Sequence, residues 1–195
     1  MHIKNLIPEL ILVSVGFASA QAIAVDGANI DGLHGELHVH GTLTESACRL
    51  DMTSAWQDID IGNTATGQLS KNGATGRPVS VTFRLQDCIS EPSRLRDMRS
   101  GNLLWSPDEP SVTIRFTAQA DRDNPSLIAL HGVSGLALRM QDSQERDVRI
   151  NENGAPLLLV PGRNELHYTL TPVRTAETLL AGAWSGRITL GLSYD

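Results

Sequence analysis

The run Val79-Ser80-Val81-Thr82-Phe83-Arg84-Leu85 alternates strictly, with Val79, Val81, Phe83 and Leu85 on one side and Ser80, Thr82 and Arg84 on the other. A period of two fits a pleated strand with one face buried and one wet, and fits no helix. Shorter runs of the same kind recur at residues 112–116, 127–131, 136–140, 157–160, 166–170 and 188–194, separated by Gly, Pro, Asn and Asp. Helical periodicity is almost absent. Short strands at this spacing predict an all-β sandwich. Residues 90–110, rich in Ser, Pro, Arg and Asp and carrying Trp105, show no period and read as a long surface connection.

The start of the chain is of another kind. Lys4, an apolar stretch over residues 10–17 and the small residues Ala18-Ser19-Ala20-Gln21-Ala22 read as a secretory signal occupying residues 1–24. The stretch is far shorter than the roughly 20 apolar residues that span a membrane. The chain beyond this signal is long enough for one domain with a core.

Sixteen basic against 22 acidic residues give a net charge of -6 with no basic block, which disfavours a nucleic-acid or anionic-membrane role. Two cysteines, Cys48 and Cys88, in an exported chain favour one disulfide. The loop of about 40 residues it closes is worth about 4 kcal/mol of chain entropy. A metal pair or a reactive thiol is the competing reading, and neither has a partner motif. His34, His38 and His40 lie on one face of a single alternating segment with Glu36 between them; they could share a cation or simply face solvent. No HExxH, GxSxG or glycine-rich phosphate loop is present, so neither catalysis nor a cofactor is expected.

Three separated segments resemble the subunits of chaperone–usher pili. The chain ends Gly182-Ala183-Trp184-Ser185-Gly186-Arg187-Ile188-Thr189-Leu190-Gly191-Leu192-Ser193-Tyr194-Asp195, similar to that family's alternating last strand, its next-to-last aromatic residue and its upstream glycine. Leu33, Gly35, Leu37, Val39 and Gly41 alternate ahead of Cys48, as in the segment a pilin lends to its neighbour. Val81-Thr82-Phe83-Arg84-Leu85-Gln86-Asp87-Cys88 is similar to the family's strand that ends in Asp-Cys. The resemblance implies an incomplete immunoglobulin-like sandwich lacking its last strand. It divides the chain into the signal, a donor-strand extension over residues 25–41 and a pilin domain over residues 42–195.

The resemblance further implies a structural, non-enzymatic role at the cell-surface fimbrium, reached through the periplasm. Its partners would be a periplasmic chaperone, an outer-membrane usher and neighbouring subunits, with no nucleic acid. Ile188, Leu190, Leu192 and Tyr194 would line the groove that accepts a chaperone or donor strand, and the carboxylate of Asp195 would be held by the chaperone. Met52-Thr53-Ser54-Ala55-Trp56-Gln57-Asp58-Ile59-Asp60-Ile61 and the segment over residues 166–174 resemble the subunit that terminates and anchors P pili. An ordinary shaft or adaptor subunit is the alternative.

Overall fold

In the computed structural model, which describes residues 37–40 and 46–194, the alternating run forms most of a ten-residue strand. The chain divides into two units, Met1–Leu43 and Thr44–Asp195. In the first, residues 37–40 carry no regular secondary structure. The predicted signal and the residues Leu33, His34, Gly35, Glu36 and Gly41 lie outside the described residues, as does Asp195.

The second unit is a β-sandwich. Its strands are β1 (Arg49–Leu50), β2 (Val79–Cys88), β3 (Ser93–Arg96), β4 (Leu103–Ser106), β5 (Ser111–Ala118), β6 (Ile128–Ala129), β7 (Leu136–Asp142), β8 (Leu157–Leu158), β9 (Gly162–Arg174) and β10 (Ile188–Tyr194). One short helix, α1 (Met52–Ala55), and one 3-10 turn, Thr66–Leu69, interrupt the segment between β1 and β2. A five-stranded sheet runs in the order β1-β2-β9-β7-β6 and a three-stranded sheet in the order β10-β5-β8, with every pairing antiparallel.

The two sheets meet through the residues that alternation turns inward. Val81 and Leu85 of β2, Leu138 and Met140 of β7, and Tyr168 and Leu170 of β9 face Val112, Ile114 and Phe116 of β5 across one continuous core. Phe83, Phe116 and Tyr168 form a ring cluster at the centre, with Phe116 and Tyr168 edge to face at 4.8 Å. Edge contacts of this kind satisfy the ring quadrupoles and tie the sheets together beyond the area they bury. Cys48, just before β1, is bonded to Cys88, the last residue of β2, so the disulfide fastens the edge strand to its neighbour.

The elements depart from sequence expectation in three places. Residues 90–110 are not a structureless connection: they contain the β3–β4 hairpin, with Arg94 opposite Trp105 and Arg96 opposite Leu103. Strand β9 is longer than residues 166–170, running through Pro172, whose carbonyl accepts from Gly76 N at 2.8 Å. β6 and β8 are two-residue fragments of the predicted runs 127–131 and 157–160. Beyond β8 the side chain of Asn164 bonds both the N–H and the carbonyl of Val160, which turns the chain into β9 and ends the strand.

Candidate functional site

Strand β10 is paired along its whole length with β5, from Ile188 opposite Ala118 to Tyr194 opposite Val112. Its other edge ends the three-stranded sheet. Every second residue points at the core: Ile188, Leu190, Leu192 and Tyr194 are half-buried and pack on the core cluster, while Thr189, Gly191 and Ser193 are exposed. This inward-facing row on the edge strand is less covered than the centre of the core. Burial raises the pKa of the Tyr194 phenol, whose oxygen is shielded and has no hydrogen-bond partner among the described residues.

Across the core, the edge of the larger sheet is thin. β1 pairs with β2 only at Gln86 and Leu85. Beyond that point the chain leaves the sheet, and the edge of β2 is met by α1 and the residues after it. Asp51 N donates to Arg84 O, Arg84 N donates to the Oγ of buried Ser54 at 2.8 Å, and Gln57 Nε2 donates to Thr82 O at 3.1 Å. Three backbone groups that a neighbouring strand would otherwise satisfy are closed by the N–H of the cap residue Asp51 and by two side chains. Asp51 caps α1, accepting from both the N–H and the hydroxyl of Thr53, and those bonds hold its carboxyl below the usual range.

The extended stretch after α1 lays Ile59 and Ile61 against the core, where Phe83 and Leu166 are also half-buried. Sequence reasoning assigned β10 to the groove but not these four residues. The signal for Ile59 and Ile61 was present, since they alternate with Asp58 and Asp60, but two apolar residues are too few to define a strand.

Gly182 falls in the exposed segment leading into β10. A Cβ there would sit 2.6 Å from the carbonyl oxygen of Gly132, so close approach of two backbones requires the glycine. That approach belongs to a seam in which His131 bridges Ser185 and Ser134 bridges Leu180. Leu37 and Val39, in the other unit, are 86% and 81% exposed. Among the described residues no group of three His, Cys, Asp or Glu is placed to hold a metal; of the histidine set, His34 and Glu36 lie outside those residues.

A separate cleft of about 370 Å³ opens between the sheets, with Ile114, Phe116, Leu166 and Tyr168 among its lining and no residue of β10. Burial, and then the charge of Asp142, push the Tyr168 phenol up to about 12.

A two-sheet immunoglobulin-like sandwich of this kind is the fold of pilus subunits. The P pilus rod subunit in its crystal structure superposes with a TM-score of 0.62 at 21% identity, over 77% of this chain and all of that one. The fimbrial protein family matches residues 37–195, and the chain belongs to it. Among its relatives, a fimbrial subunit type 1 of Salmonella typhimurium is 23% identical over 192 residues, 94% of this chain and 95% of that protein. A PRS fimbrial minor pilin protein of Escherichia coli is 28% identical over 179 residues, 87% of this chain and 86% of that one. The protein is thus a fimbrial subunit, a pilin by family and by fold.

Proposed function

We propose that the subunit is assembled by donor-strand exchange and that it terminates the pilus at its base. The observation that carries the first part is the open edge of β10, where Ile188, Leu190, Leu192 and Tyr194 stand half-buried beside an unpaired backbone. A periplasmic chaperone supplies a strand there after export, its basic groups holding the carboxylate of Asp195. At the usher the chain's own extension, through Leu33, Gly35, Leu37, Val39 and Gly41, enters the groove of a neighbour. Both steps are β-augmentation, in which main-chain bonds supply affinity and alternate side-chain pockets supply register.

The terminator role rests on the segment over residues 52–61, which resembles that of a pilus anchor and here replaces strand pairing on β2 with α1, Ser54 and Gln57. Similarity to proteins named minor pilins points the same way. The test is exchange in vitro with the chaperone-bound chain. A synthetic donor peptide from another pilin should fail to displace the chaperone, while a peptide of residues 33–41 should enter a neighbour's groove. Gly35→Leu and Leu37→Asp should abolish that entry, the first by bulk and the second by placing a charge in a dry groove. Exchange in both directions would make the chain an ordinary shaft or adaptor pilin. Unimpaired entry by both altered peptides would show that the segment is not a donor strand.

A further inference from the structure

The β3–β4 hairpin presents a face that neither the core nor the open edge uses. In its antiparallel register Arg94 stands opposite Trp105 and Arg96 opposite Leu103, so these four side chains share one face. All four are exposed, Trp105 by 62%, whereas Leu95, Leu104, Ser93 and Ser106 on the other face are half-buried or buried. Arg99, also exposed, sits in the turn between the strands.

The two arginines on this face stand outside the ion pairs of the fold. Among the described residues Arg94, Arg96 and Arg99 make no ion pair; Arg96 donates only to the carbonyl of Gly101. The nearby carboxylates lie off that face: Asp97 accepts from Arg99 N and Ser100 Oγ within the turn and feels the charge of Arg99, and Asp108 and Glu109 accept from Ser106 Oγ on the opposite side of the hairpin. A chain of net charge -6 therefore carries, on one face of a short ribbon, two guanidiniums outside any ion pair beside an exposed indole, with Arg99 in the adjoining turn.

From this juxtaposition we infer that the hairpin face binds an acidic polysaccharide, with the guanidiniums taking its carboxylate or sulfate groups and Trp105 stacking on the apolar face of a sugar ring. Guanidinium forks match planar or tetrahedral oxyanions in bidentate fashion, and a large flat ring buries apolar area without losing much conformational freedom. The size of the face selects a glycan over a protein. Four residues per strand give a strip roughly 13 Å long and two strands wide, far less than the ~800 Å² per partner of a stable protein interface. A linear glycan needs no more than such a strip.

The test is retention of the full-length chain, prepared identically for each variant, on immobilised heparin, neutral dextran and polyglutamate across a salt series. Heparin should retain the protein at physiological ionic strength and dextran should not. Arg94→Ala and Arg99→Ala should each lower the salt slope of binding by about one. Trp105→Ala should weaken binding about fivefold or more at unchanged charge. Arg122→Ala, which removes an exposed arginine outside the hairpin, should leave retention as it was. Two results would overturn the inference: no retention on heparin, or equal retention on polyglutamate with Trp105→Ala without effect.

Discussion

At the scale of single residues the core makes two separate demands on the medium. Tyr168 is buried between Phe83 and Phe116, and burial followed by the charge of Asp142 holds its pKa near 12 against an ordinary 10.0. Between those values the unfolded chain releases the proton and the folded chain keeps it. Stability is therefore full below pH 10 and is lost as pH rises through 12, by on the order of 3 kcal/mol at about 1.4 kcal/mol per unit. Urea unfolding at pH 9 and pH 11.5 should show that decline, and Tyr168→Phe should reduce it, leaving the part that the raised Tyr194 phenol contributes. The Cys48–Cys88 bond needs an oxidising compartment. Cys88→Ser should lower stability by about 4 kcal/mol, read as a fall in the urea midpoint, with no free thiol in the unreduced wild-type chain. The cysteine pair was legible in the sequence because two residues allow one pairing. The Tyr168 environment was not, since it depends on which rings meet across the sheets.

At the scale of elements, legibility follows the length of the alternating pattern. β2, β5, β7, β9 and β10 could be placed because each turns several apolar residues to one side. The β3–β4 hairpin escaped because Leu103-Leu104-Trp105 is apolar on both faces and buried Ser93 and Ser106 are polar, so no period of two survives. Helix α1 escaped because four residues are too few to show a helical period. Its importance lies in one bond. Ser54 is 5% exposed and its Oγ accepts from Arg84 N, so Ser54→Ala leaves a shielded backbone donor without a partner on the edge of β2. The expected loss is about 1–3 kcal/mol, the desolvation penalty of such a group. Equilibrium unfolding should report it, and hydrogen exchange should show the Arg84 amide losing protection while the amides paired between β2 and β9 keep theirs.

At the scale of the whole molecule, the all-β sandwich could be read from sequence because it follows from periodicity, whereas an open groove at the last strand is an expectation carried by the resemblance alone. What covers the edge of β2 could not be read, because that depends on hydrogen bonds from Ser54 and Gln57 made at long range. The consequence for assembly is a question of stoichiometry. A subunit that donates a strand but accepts none ends each fibre it joins, so mean pilus length should fall as the ratio of this chain to shaft subunits rises. Graded expression against constant shaft-subunit expression, with lengths measured by electron microscopy, should give pili that are shorter and more numerous at high dose. On the proposed role at the base, deletion should give longer fibres that detach into the medium. A shaft subunit predicts the reverse, with longer pili at higher dose, and an adaptor predicts a change in pilus number without a graded change in length. Either pattern would remove the terminator role while leaving membership of the fimbrial protein family untouched.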